Sequence, residues 1–116
     1  MTVAYVVLAI LLAVVLVGSG AGKLVKAAPI VESLTKAGVP LGWYPGLAAL
    51  ELAGALGLLI GIAWRPLGIA AAVGVVLYFV LAIGQHVRSK DLEGMQSPVT
   101  VLALGVAALT VGLLSI

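Results

Sequence analysis

The sequence predicts an all-α protein, a bundle of four transmembrane helices in one membrane domain, and two observations carry that reading. Of 116 residues, 64% are hydrophobic and 9% are charged, against about a quarter charged in an ordinary soluble domain. Such a chain cannot cover a globule with polar surface, so its solvent is lipid. The apolar residues also fall into four runs of the length a crossing needs, about 20 residues each.

The first run, 3–22, has no charge. Residues 3–17 would also suit the apolar part of a signal peptide, but no Lys or Arg precedes them, so a retained helix is expected. The second, 45–63, is interrupted only by Glu51. The third, 66–85, is again uncharged, and the fourth is 97–116. Pro45, Pro66 and Pro98 stand where first helical residues would, which suits a residue without an N–H. Ser97 precedes Pro98 as an N-cap candidate. Trp43 and Tyr44 flank one end of the second run and Trp64 the other, a spacing that fits headgroup anchors at both faces.

The connections differ. "WRP" between the second and third runs predicts a tight antiparallel hairpin. "HVRSKDLEGMQ" is a short polar loop. Between the first and second runs, "APIVESLTKAG" predicts a short interfacial helix, begun by Pro29 and ended by Gly38. Its Ile30, Val31 and Leu34 lie apart from Glu32, Ser33 and Lys36.

Four crossings place both termini and Arg65 on one face, and Lys23, Lys26, Lys36, Arg88 and Lys90 on the other. The positive-inside rule then puts the larger loops in the cytoplasm and the termini outside. The 15 glycines suit close helix approach in lipid. Gly18 and Gly22 are spaced i, i+4 on the first helix, Gly54, Gly57 and Gly61 share one side of the second, and Gly105 and Gly112 are a heptad apart on the fourth. Packing within one monomer is the simpler expectation. A homodimer, or contact with other membrane subunits, is the alternative.

The charge pattern excludes several functions. Six basic residues without a run or interleaved aromatics make no nucleic-acid footprint. No cysteine means no disulfide, iron–sulfur cluster or dithiol relay within the chain. One histidine and four carboxylates are a poor basis for a metal site, and no nucleophile–base–acid set or phosphate loop is visible.

Glu51 is the residue that asks for an explanation. A mid-membrane charge costs about 2.5–3.5 kcal/mol on insertion scales, so such groups face the interior and find partners. Six residues after Pro45, Glu51 lies roughly 9 Å into its helix. The alternating chain direction brings Lys23 from the first helix and His86 from the third to the same end. Ser19 is i, i+4 from Lys23, Tyr78 and Ala82 continue the line of His86, and Gln85 stands beside it. The expectation is a Lys23–Glu51 ion pair with His86 alongside. Blander readings are a snorkelling Lys23, a dipole-favoured His86 at a helix C-terminus, and a Glu51 that only locks helix register. Chemically, the group could relay protons or hydrogen-bond the head of an apolar ligand such as a quinone or lipid.

The segments "GSGAGKL", "VESLTKAGVP", "GLAALELAGALGLLIG" and "VLYFVLAIGQHVRSKD", in this order over nearly the whole chain, resemble the DoxX-like family of small bacterial membrane proteins. The resemblance rests on the small residues before Lys23, the glycine–proline loop reaching Pro40, the helix carrying Glu51, Gly54 and Gly57, and Ala82, His86 and Arg88. It implies a four-helix bundle in the bacterial cytoplasmic membrane. The family's name comes from a relative associated with thiosulfate oxidation and quinone reduction, other relatives are linked to membrane redox complexes, and distant eukaryotic ones with a similar bundle act as assembly chaperones. The missing cysteines speak against direct thiol chemistry here. The expected role is a non-enzymatic accessory or scaffold that binds an apolar ligand or partner helices through Lys23, Glu51 and His86. A quinone-binding redox subunit, an assembly chaperone and a small proton-coupled transporter are the alternatives, in that order.

Overall fold

The computed structural model describes residues 2–92 and 96–115, without the side chain of Ser97. The described residues are helical with no strand. Helix α1 is Thr2–Leu24, α2 is Ala28–Lys36, α3 is Tyr44–Ile60, α4 is Arg65–Arg88 and α5 is Gln96–Leu114. A single 3-10 turn, Leu41–Trp43, leads into α3. Three helical stretches, Thr2–Leu24, Leu41–Ile60 and Arg65–Arg88, are long and apolar enough to cross a membrane. The apolar part of α5, Pro98–Leu114, is shorter. Ser97, the expected N-cap, stands second in α5, because the helix already begins at Gln96; the last residue of the fourth run, Ile116, lies outside the described residues.

The long helices pack as a ring, α1 on α3, α3 on α4, α4 on α5 and α5 back on α1. Tyr5, Ala9, Leu12 and Leu16 form the inward stripe of α1 at helical spacing. They meet Ala55 and Leu58 of α3, Ala72, Val75 and Phe79 of α4, and Val101 and Ala108 of α5. The outward faces are as apolar as the inward ones: Val14, Leu56, Leu77 and Leu114 are all exposed. A helix that is apolar all round belongs in lipid, where no polar face is required.

Two boundaries moved by three residues. The second run ends at Ile60, and 61–64 form the tight turn, where Trp64 N–H still reaches Ile60 O at 3.0 Å. The third run extends to Arg88, so His86 sits inside α4. Pro45 and Pro66 occupy the second helical position and Pro98 the third, still within the first turn, where no intrahelical N–H bond is lost.

The segment between α1 and α3 folds as a short helix with Pro29 in its first turn. It stops where Gly38 takes φ +77°, a left-handed conformation that a side chain would strain. Ile30, Val31 and Leu34 are half-buried, whereas Glu32, Ser33 and Lys36 are exposed. The side chain of Ile30 occupies the space over Gly22, where a Cβ would collide with it.

Gly18 is a correction to the glycine reading. It was expected to pack with Gly22 against a neighbouring helix, but it is exposed, and an added Cβ would meet nothing within 4 Å. The α1 position that touches α3 is Gly20, whose Cβ would lie 3.2 Å from Leu52. A rotation of 200° between positions 18 and 20 turns one outward when the other faces in. Gly54, Gly57 and Gly61 do face α4, opposite Val75, Ala71 and Gly68. Gly105 and Gly112 of α5 face Val75 and Ile69.

Candidate functional site

Glu51 is 2% exposed and Lys23 is 6% exposed, so both ionisable groups are inside the protein. They form a buried ion pair between Lys23 Nζ and Glu51 Oε1. Lys23 reaches Glu51 because it is the penultimate residue of α1, packed along α3, and its stem runs inward rather than to the interface. Its ammonium also donates to Ser19 Oγ at 2.7 Å, one turn earlier on the same face. Tyr78 of α4 donates its hydroxyl to Glu51 Oε1 at 3.2 Å. Helices α1, α3 and α4 are therefore joined at one carboxylate. The second carboxylate oxygen, Oε2, is buried and has no hydrogen-bond partner among the described residues.

His86 is buried in α4 near this group, but its bonds run elsewhere. Nδ1 lies 3.0 Å from Ala82 O, which fixes the proton on that nitrogen because a carbonyl can only accept. Nε2 lies 3.7 Å from Asp91 Oδ2. The expected direct partnership of His86 with the Lys23–Glu51 pair is thus replaced, among the described residues, by contacts with Ala82 of α4 and with Asp91 just beyond its end. Gln85 is also diverted. Its amide donates to Ala37 O at 3.0 Å and Gly38 O at 3.3 Å, and Ser89 donates to Ala37 O at 2.6 Å. These two side chains fasten the end of α4 to the turn after α2. Ser89 was missed at the sequence level, although it lies one turn beyond Gln85 on the same face.

A cavity of about 900 Å³ adjoins the buried pair. Its walls come mainly from α3 and α4, with the ends of α1 and α2 above. Ser19, Lys23, Glu51, Tyr78, Gln85 and His86 all contribute to its lining. Apart from Ser33 of α2 the remainder is apolar, and the lining residues Leu50, Leu77 and Leu81 are exposed on the outer surface. The cavity therefore joins a polar inner end to an apolar flank that faces the surroundings of the bundle. The α3–α4 seam itself stays closed, with Gly61, Gly57 and Gly54 opposite Gly68, Ala71 and Val75. Gly74 lines the cavity beside that seam, and an added Cβ there would meet nothing within 4 Å.

The opposite end carries a second polar group that the sequence reading did not pick out. Tyr5 hydroxyl donates to Leu58 O at 2.9 Å. Arg65 lies over the Tyr5 ring at 4.0 Å and donates to Gly61 O at 3.2 Å. Both residues belong to the face assigned to the termini and the "WRP" turn, so topology could have paired them.

The sequence model of the DoxX-like family matches residues 7–108. The chain belongs to the DoxX-like family. The match includes Ser19, Lys23, Glu51, Tyr78, Gln85 and His86, so the whole polar group lies within the family region. No curated protein and no solved structure matches the chain significantly. Family membership and the long apolar helices identify a helical membrane protein.

Proposed function

We propose that this DoxX-like chain is a non-enzymatic accessory protein that binds an apolar small molecule, held by its head at Lys23, Glu51 and Tyr78. The observation that carries this reading is the cavity: about 900 Å³, within the ~300–1,000 Å³ of small-molecule sites, with apolar walls and a few convergent polar groups at one end. A buried pair serving only as a register lock would need no cavity beside it. Entry would be lateral, from lipid, past Leu50, Leu77 and Leu81.

In the same reading α5 is the fourth span. Its apolar segment of 17 residues, Pro98–Leu114, rises about 26 Å, at the lower limit for a crossing. Helix α2 would lie at the membrane surface with Glu32 and Lys36 in water. The membrane would be the bacterial cytoplasmic one, with the basic loops inside and the termini outside. Cysteines placed at Thr2 and at Asp91 test the orientation. Labelling of the first from the cytoplasm would reverse it.

Gly74→Phe tests the binding reading. It fills the cavity from a position with open space around it and leaves Lys23, Glu51 and Tyr78 in place. Small molecules retained by the purified parent should be lost from this variant, as read by mass spectrometry of organic extracts. Equal retention by both would remove the cavity from the function. A redox-complex subunit is the second reading. Tyr78 and His86 in the cavity wall favour it, because both can pass a proton to or from a bound quinone. Quinone in extracts of the parent and not of Gly74→Phe would favour it over the first.

A further inference from the structure

The hydrogen bonds left over at the buried pair indicate what kind of head group the cavity takes. Glu51 uses Oε1 twice, for Lys23 and for Tyr78, and leaves Oε2 without a partner among the described residues. Lys23 has three N–H donors and directs them at two partners, Ser19 Oγ and Glu51 Oε1. Two neighbouring groups that line the cavity therefore hold one unused acceptor and one unused donor. Oε2 is enclosed, and the terminal carboxylate torsion is broad and two-fold, so the group can rotate to present an oxygen to a donor bound in the cavity.

A buried acceptor without a donor is costly, and more so when it is charged. A ligand that supplies the donor gains that difference. Three head groups can be compared. A ketone or quinone carbonyl only accepts, so it would take the lysine N–H and leave Oε2 unpaired. An ammonium only donates; it would satisfy Oε2 but place a second cation beside Lys23 in a low-dielectric site. The Lys23–Glu51 pair is already neutral as a unit, so nothing there offsets an added charge. A hydroxyl does both jobs at no net charge: its O–H donates to Oε2 while its oxygen accepts from Lys23.

We infer that the cavity selects neutral amphiphiles with a free hydroxyl, a class that includes long-chain alcohols and phenols or quinols, over their ethers, ketones and amines. This rests on the ligand-binding reading above and names the chemistry that reading leaves open.

Trp43 lines the cavity and Trp64 does not, which provides a readout. The Trp64→Phe protein in phosphatidylcholine nanodiscs is titrated with brominated dodecanol, its methyl ether and brominated dodecylamine. Saturable quenching of Trp43, reversed by the unbrominated compound, measures binding. The alcohol should bind about tenfold or more tightly than the ether, the effect expected of a hydrogen bond to a charged group. It should also bind more tightly than the amine. A dodecylphenol and its methyl ether form a second pair, and the larger ratio tells phenolic from aliphatic hydroxyl. Replacing both members of the pair, Lys23→Met with Glu51→Met, avoids a stranded charge. That protein should still bind the alkyl chains, with the alcohol-to-ether ratio reduced to about one.

Equal binding of alcohol and ether by the parent would overturn the hydroxyl inference and leave the cavity reading standing. The amine binding most tightly would overturn it in favour of a cation site. A ratio that survives in the double variant would overturn it as well, by moving the selective contact away from the pair. No saturable quenching by any probe would remove both this inference and the reading on which it rests.

Discussion

The two ends of the α3–α4 pair are built on opposite plans. Near the turn, Gly61 and Gly68 bring the backbones into contact, Tyr5 hydroxyl fills the remaining space, and Arg65 covers the Tyr5 ring. Toward the other end the helices bound a cavity, and the polar groups there form an ion pair with an oxygen to spare. One end gains packing at the expense of any room for a ligand. The other keeps room beside a buried ion pair. If the difference is functional, changes at the closed end should act on stability alone. Changes at the open end should separate stability from binding.

The largest effect is expected at the open end, from Glu51→Leu. It leaves the Lys23 ammonium buried with only Ser19 as a partner, a situation that costs about 3–5 kcal/mol in proteins. Unfolding in mixed detergent–SDS micelles, followed by far-UV circular dichroism, should register a loss of that size. Lys23→Met combined with Glu51→Leu should recover most of it, because no charge is then stranded. A double variant as unstable as the single one would mean that the ion pair itself holds the helices together.

Next comes the closed end. A Cβ on Gly61 would collide with the Gly68 backbone and the Tyr5 hydroxyl, so Gly61→Ala forces the two helices apart. Overpacking of this kind costs about 1–3 kcal/mol. Because Gly61 is not part of the cavity wall, hydroxyl binding by the folded fraction should be unchanged. A change in ligand affinity without a change in stability would show that the two ends are mechanically coupled.

These positions also show which features a sequence discloses. The four apolar runs, the tight turn and the helix between Pro29 and Gly38 were legible, because proline, glycine and run length act locally. The Lys23–Glu51 pair was legible for a different reason. A charge inside an apolar run must find a partner, and alternating helix direction leaves few choices. The partners of His86 and Gln85 were not legible. Both lie where α4 leaves the apolar layer, and there the backbone carbonyls of Ala82 and Ala37 compete with other side chains for their N–H groups. The cavity was hidden as well. Its walls are drawn from α1, α2, α3 and α4 together, so no single run encodes it.

A smaller effect is expected from Tyr5→Phe. The ring and its stacking under Arg65 remain, but Leu58 O loses its side-chain donor. The loss should be about 1 kcal/mol, the net value of a typical buried hydrogen bond. A loss much larger than this would mean that the hydroxyl also spaces Gly61 from Gly68, since it is the nearest side-chain atom to both added Cβ positions.

The smallest effect belongs to Gly18, and it separates the two uses of glycine that the sequence could not. An added Cβ at Gly18 meets nothing within 4 Å, in contrast to Gly61 on the closed seam. Within the monomer, Gly18→Leu should therefore be tolerated and should stabilise α1 by up to about 1 kcal/mol through helix propensity alone. A homodimer that used the outward side of α1 would behave differently. There the leucine would hold two backbones apart, as small-residue seams in membranes depend on close approach. Cross-linking of the parent and of Gly18→Leu in native membranes reads this directly. An unchanged pattern is expected, with packing by glycine confined to the inside of the bundle. A dimer band lost only in the variant would assign the outward side of α1 to a second copy of the chain.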